Sequence, residues 1–111
     1  MALILFDLDN TLLADDSDYL WGQYLCDLGV VNRDDYEIRN QLFYDDYLTG
    51  NMDIHAFLSF ALEPLKQLPL SELLSLRADF VANQITAIIA PGAASLIAKH
   101  KNRGDTLVVI T

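Results

Sequence analysis

The sequence predicts an α/β fold in which a parallel β-sheet is interrupted by a long helical insert. Two short, largely apolar runs, residues 2–6 and 106–110, lie near the two ends of the chain. Each run is too short for a helix and is typical of a strand buried on both faces in a parallel sheet. The residues between about 17 and 90 show helical spacing instead, which favours one inserted bundle over a second sheet.

The first apolar run ends at two carboxylates, Asp7 and Asp9. Alternate residues of an extended chain point the same way, so both side chains can address one site. Asn10 and Thr11 then favour a turn. Ligands of parallel α/β sheets bind at the carboxyl ends of the strands, where this pair would lie. A simple strand-end role would explain one carboxylate better than two convergent ones.

The second apolar run is preceded by a predicted helix that begins near Pro91 and stops at Gly104. Proline suits a first helical turn and glycine a helix end. Lys99, Lys101 and Arg103 fill the last turn, where the helix dipole favours cations. Helix and strand together form the second half of a β-α-β crossover, so both strands should end at one edge of the sheet.

The insert divides into four predicted helices, each marked by a capping residue and a terminating glycine or proline. Their start and stop residues are Ser17 and Gly29, Asn32 and Gly50, Asp53 and Pro64, and Ser71 and Pro91. No repeat or low-complexity segment interrupts them. The sequence therefore predicts an all-helical insert.

The first strand and its turn resemble the first motif of the haloacid dehalogenase superfamily. That motif is D-x-D-x-T followed by two apolar residues, here Asp7, Asp9, Thr11, Leu12 and Leu13. The match is complete and follows an apolar strand, which makes it far more specific than a bare D-x-D pair.

The end of the chain resembles the second motif of the same superfamily, an apolar strand that ends in Ser or Thr, here Thr111. The resemblance implies a Rossmann-like parallel-sheet core, of which residues 1–16 and 91–111 would form part. Residues 17–90 would form a helical-bundle cap, as in the phosphoserine-phosphatase-like branch (subfamily IB). In that branch the cap closes over the site and excludes water.

The resemblance also implies a Mg²⁺-dependent hydrolysis of phosphate monoesters. Asp7 would be the nucleophile that forms an aspartyl-phosphate, and Asp9 the general acid and base. Mg²⁺ would bind the Asp7 carboxylate and the Asp9 carbonyl. Thr111 and the backbone N–H groups of Leu8 and Asp9 would bind the phosphate oxygens.

Substrate-contacting residues are implied less directly. Asp16 lies nine positions after the nucleophile, where phosphoserine phosphatases place a contact to the substrate amine. Ala61 aligns with the cap arginine that pairs with the substrate carboxylate, and a methyl group cannot replace that pair. An amino-alcohol phosphate such as histidinol phosphate is thus expected to fit better than phosphoserine. Met52 and Phe57 are candidates to face the substrate, with bundle packing as the alternative.

Two further motifs of the superfamily, a lysine and an acidic pair, should follow the second motif. Lys66, Lys99 and Lys101 all precede Thr111. The resemblance therefore predicts a half-site that is inactive alone, and leaves open whether the chain is a fragment or a natural truncation. Its unpaired apolar strand edge is expected to promote self-association.

The amino-acid composition limits the kinds of molecule that the protein is expected to bind. The net charge is −9, from 16 acidic and 7 basic residues, which argues against nucleic acid and anionic membranes. A small phosphorylated substrate then needs a bound cation. A single cysteine, Cys26, excludes an internal disulfide and fits a reducing cytoplasm. No apolar run approaches the length of a membrane span.

Two other classes of protein share part of this sequence pattern. A response-regulator receiver also phosphorylates an aspartate, but it needs a strand near mid-chain, where this sequence is helical. A non-catalytic helical module that binds a protein partner would not need the D-x-D-x-T pattern. Asp15, Asp16 and Asp18 could together hold a metal ion, although a solvated helix start explains them better.

Overall fold

The computed structural model describes all residues 1–111 and contains two strands and five helices. The strands are β1 (Leu3–Asp7) and β2 (Thr106–Ile110), and the helices are α1 (Ser17–Asp27), α2 (Arg33–Leu48), α3 (Ile54–Gln67), α4 (Leu70–Phe80) and α5 (Ala93–Asn102). The chain separates into two compact units. One comprises Met1–Leu20 with Asp79–Thr111, and the other Trp21–Ala78.

The two strands pair in parallel, which confirms the predicted α/β class with a small parallel sheet. The register runs from Leu3 opposite Thr106 to Asp7 opposite Ile110. Parallel neighbours need a crossover connection, and α5 leads directly into β2. Both strands therefore end at one edge, and Thr111 follows the residue that pairs with Asp7.

The prediction that both strands are buried on both faces is wrong for these residues. Phe6 is buried, whereas Leu3 and Leu5 on the opposite face of β1 are 63% and 56% exposed. Side chains alternate along a strand, and only one face of the sheet carries the core of this unit. That core is a cluster of Phe6, Leu12 and Ala93, with Ile97 and other partly buried apolar residues packed against it.

The helical unit is held together by aromatic contacts between α2 and α3. Phe60 is buried and lies between two rings of α2, with centroid distances of 5.3 Å to Tyr36 and 5.3 Å to Phe43. Phe43 also meets Phe57 edge-on. The guanidinium of Arg39 lies 4.6 Å from the Phe60 centroid. These contacts give the unit a core of its own.

Two of the four predicted helix caps are confirmed and two are wrong. Ser71 is not a cap, because it is the second residue of α4. Asn32 accepts the N–H of Asp35, and Asp53 accepts two N–H groups of the first turn of α3. At α1 the capping side chain is Asp16 rather than Ser17. Asp16 Oδ1 accepts the N–H groups of the second and third helical residues, and Ser17 is the first residue of the helix. Both residue types cap well, so composition alone could not separate them.

Three predicted helix limits also shift. α3 continues through the buried Pro64 to Gln67 instead of stopping before it. The helix expected from Ser71 to Pro91 begins at Leu70. Its α-helical part ends at Phe80, and the chain continues in a π-helical turn over Val81–Ile85 and a 3₁₀ turn over Thr86–Ile88. α5 begins at Ala93, directly after Gly92. Gly92 has φ 84°, a left-handed conformation that glycine adopts without strain. No helix is both long and apolar enough to cross a bilayer.

Candidate active site

A wide turn carries the chain away from the end of β1. The N–H of Leu13 donates to the carbonyl of Leu8 at 3.0 Å, which closes the turn. Inside it Asn10 has φ 57° and ψ 22°, a left-handed conformation that asparagine tolerates better than most residues. Leu12 and Leu13 at its far end are buried, so apolar packing fixes the turn.

The segment after this turn is tied to the segment before α5 by an antiparallel bridge between Leu13 and Ile89. The N–H of Ala14 donates to Ile88 O at 2.7 Å, and the N–H of Ala90 donates to Leu12 O at 2.8 Å. The backbone that carries Asp7 and Asp9 is therefore held on both sides, by β2 and by this bridge.

Asp7 lies exposed at the carboxyl end of β1, as the sequence predicts. The hydroxyl of Thr11 donates to Asp7 Oδ2 at 2.9 Å. Asp7 Oδ1 accepts no hydrogen bond from the chain, so one oxygen is held and the other is available to a ligand. Thr11 is recognisable in the sequence as part of a motif, but its orienting role depends on the turn and is not visible in the sequence pattern.

Asp9 is half-buried, and its side chain turns toward the start of α1. The backbone N–H of Ser17 donates to Asp9 Oδ1 at 2.9 Å. This link across eight residues has no counterpart in the sequence pattern. The first amide of α1 therefore fixes the orientation of the Asp9 carboxylate.

Acidic groups cluster around this helix start. Asp16 uses Oδ1 to cap α1, and partial burial raises the pKa of the Asp18 carboxyl, helped by the charges of Asp16 and Asp9. Asp9, Asp16 and Asp18 therefore bring several acidic groups close together at this point. A further anion, such as a phosphate, therefore needs a cation beside it.

The available donors fit Mg²⁺ in part. Mg²⁺ commonly binds one or two protein carboxylates and completes its shell with water and substrate phosphate. Asp7 Oδ2, which keeps a second lone pair beside its hydrogen bond from Thr11, and the carbonyl oxygen of Asp9 are hard oxygen donors of this kind. No group of three or more His, Cys, Asp or Glu side chains is arranged to hold a metal ion. Asp15, Asp16 and Asp18 therefore do not form a metal site.

The remaining predicted site residues lie in different parts of the chain. Thr111 and Leu8 follow the paired ends of β2 and β1, at the predicted edge. Met52 and Phe57 belong to the helical unit, where Phe57 packs edge-on against Phe43 at 5.5 Å. Ala61 lies half-buried in α3.

The fold and the site define a class of protein: a helix-rich α/β protein with an acidic site at the carboxyl edge of a parallel sheet. The family model of haloacid dehalogenase-like hydrolases matches residues 4–111. The chain belongs to that family.

Two relatives extend the comparison. The chain is 42% identical over 109 residues to a histidinol-phosphatase of Neisseria meningitidis serogroup C (strain 8013), a match that covers 98% of this chain and 49% of the relative. It also resembles a crystal structure of a protein of unknown function from Bordetella pertussis Tohama I. That match has a TM-score of 0.85 and 27% identity, and covers 100% of this chain and 51% of that protein. The chain thus spans about half the length of both relatives.

Proposed function

We propose that the protein hydrolyses a small phosphate monoester through an aspartyl-phosphate formed on Asp7. The observation that supports this proposal is the way in which the Asp7 carboxylate is oriented. Thr11 holds one oxygen at 2.9 Å, while the other is exposed at the strand end without a hydrogen bond. A carboxylate that is oriented in this way can attack phosphorus with one defined oxygen.

The reaction runs in two balanced steps. Asp7 Oδ1 attacks phosphorus, the ester P–O bond breaks, and the leaving oxygen takes a proton from Asp9. Water then attacks the phosphorus of the aspartyl-phosphate while Asp9 takes a proton from it, which releases inorganic phosphate and restores both carboxylates. Asp9 gives one proton to the leaving oxygen and later takes a different proton from water, so it must lie within reach of both oxygens.

Other groups reduce the repulsion between the carboxylate and the phosphate. Mg²⁺, held by Asp7 and the Asp9 carbonyl, would neutralise charge on both partners. Thr111 and the N–H groups of Leu8 and Asp9 would donate to phosphate oxygens. The helical insert, residues 17–90, would act as the cap over the substrate. The reducing cytoplasm is the expected compartment, given the single Cys26.

The substrate class follows from two positions and one relative. Asp16 offers a carboxylate for a substrate amine, and Oδ1 already caps α1, so the ammonium would bind Oδ2. Ala61 has no group that could pair with a substrate carboxylate. The similarity to a histidinol-phosphatase supports the same conclusion. We infer an amino-alcohol phosphate, with histidinol phosphate as the leading candidate.

The test uses the protein encoded by the complete reading frame, assayed with Mg²⁺ against histidinol phosphate, phosphoserine and a phosphate ester that lacks an amine. Histidinol phosphate should be hydrolysed fastest, and Asp7→Asn should abolish turnover. The matched control is Asp34→Asn, which makes the same change at an exposed residue of α2. Activity that survives Asp7→Asn would refute the mechanism, and a preference for phosphoserine would refute the substrate class.

A further inference from the structure

The hydrogen bond between the Ser17 amide and Asp9 joins a helix start to the proposed general acid. Ser17 is the first residue of α1, and the first N–H groups of a helix have no partner within the helix. The helix dipole adds a favourable field for a carboxylate at this end. Asp9 Oδ1 accepts the Ser17 N–H at 2.9 Å, so the carboxylate lies at this end of the helix.

Hydrogen bonds hold the first turn of α1 in place, so the Ser17 amide points in a fixed direction. Asp16 Oδ1 accepts the N–H groups of Asp18 and Tyr19, which leaves the Ser17 amide as the donor that the cap does not use. The loop before the helix is closed as well, because the N–H of Asn10 donates to the carbonyl of Asp15 at 3.2 Å.

We propose that Ser17 is a positioning residue whose backbone N–H fixes the carboxyl group of Asp9 for proton transfer. The inference rests on the proposed phosphatase function. With Oδ1 engaged by the amide, Oδ2 is the oxygen left to carry and deliver the proton. A carboxyl oxygen accepts an amide hydrogen bond whether or not the group is protonated, so this contact can persist through both steps of the reaction.

A proline at position 17 tests the amide alone. Proline has no N–H and suits the first position of a helix, so Ser17→Pro removes the donor and keeps the helix. It is measured against Ser17→Ala, so that both variants lack the hydroxyl and differ in the amide. Ile54→Pro is the matched control. Ile54 is also the first residue of a helix, after an aspartate that caps the next two amides.

The expected result is a loss that depends on the leaving group. For an alkyl phosphate, Ser17→Pro should lower kcat about 10-fold relative to Ser17→Ala with little change in KM, because acid catalysis contributes about 100-fold or more. An aryl phosphate such as p-nitrophenyl phosphate leaves without full protonation and should lose much less. Ile54→Pro should remain as active as the wild type on both esters.

Several outcomes would overturn the inference. Equal kcat values for Ser17→Pro and Ser17→Ala would do so, as would equal losses on both esters. Lack of wild-type turnover on every ester would instead refute the proposed function. If circular dichroism shows that Ser17→Pro is unfolded, a crystal structure of the wild type tests the inference instead. Asp9 within hydrogen-bond distance of the Ser17 amide supports the inference, and Asp9 turned away from it refutes it.

Discussion

Gly22 of α1 lies so close to Tyr36 of α2 that a side chain at this position should destabilise the helical unit. A Cβ atom on Gly22 would lie 1.8 Å from the Tyr36 hydroxyl oxygen and 2.4 Å from the ring carbon that bears it. The aromatic ring is rigid, so it must move as a whole. That movement disturbs the stacking of Tyr36 on Phe60, whose centroids are 5.3 Å apart.

The magnitude follows from three contributions. Overpacking in a formed core costs about 1–3 kcal/mol, and a disturbed aromatic pair about 0.5–1.5 kcal/mol. Alanine in a helix is favoured over glycine by about 1 kcal/mol, which opposes both. Tyr36 also lines a cavity of about 170 Å³ into which its ring can retreat, and this limits the cost. The free energy of unfolding should therefore fall by about 2 kcal/mol in Gly22→Ala.

Urea unfolding followed by circular dichroism measures this difference, and Trp21, the single tryptophan of the chain, offers a fluorescent reporter beside the site. The sharpest control is the same substitution in a Tyr36→Ala background. With the ring gone, Gly22→Ala should stabilise by up to about 1 kcal/mol. A neutral or stabilising effect in the wild-type background, or the same loss in both backgrounds, would refute the packing argument.

Two further predictions concern the unit that carries the sheet. A hydrogen bond from His100 lowers the pKa of Asp105, helped by the N–H of Ala2. The ionised carboxylate thus contributes stability at pH values above its unfolded pKa of about 3.9. This contribution should be lost as the pH falls through the lower folded pKa, and Asp105→Asn should flatten the acid side of the stability profile in pH-dependent urea unfolding. Separately, the 111-residue chain alone should self-associate in light scattering because Leu5 and its exposed neighbours present an apolar sheet face, and Leu5→Lys should reduce the association. A monodisperse chain would contradict this expectation.

Local chemistry allowed the sequence to predict most elements. Asn32 and Asp53 begin helices because their side chains accept the first amides, and this depends on neighbours in sequence alone. The parallel strands followed from apolar runs of the right length. The burial of Leu3 and Leu5 was predicted wrongly, since exposure depends on what packs against each face of the sheet.

The acidic pair was likewise predictable, whereas its fine geometry was not. Alternation along an extended chain brings Asp7 and Asp9 to one strand end. The bonds from Thr11 and the Ser17 amide arise from a turn that contains a left-handed Asn10, and no periodic pattern encodes this turn. Two adjacent candidates for one cap, Asp16 and Ser17, could be separated only in three dimensions.

The bridge between Leu13 and Ile89 has a consequence for how variable the intervening chain can be. Leu13, where the chain leaves the sheet edge, pairs with Ile89, where the chain returns toward it. Backbone hydrogen bonds of 2.7 and 2.8 Å flank this pair. The chain between them is thus a loop whose ends are already joined. Loop closure depends only logarithmically on length, so doubling such a loop costs about 0.6 kcal/mol. The part of this segment that follows Tyr19 can therefore be lengthened, shortened or exchanged for another while Asp7 and Asp9 keep their places, because the Ser17 amide that binds Asp9 lies before it.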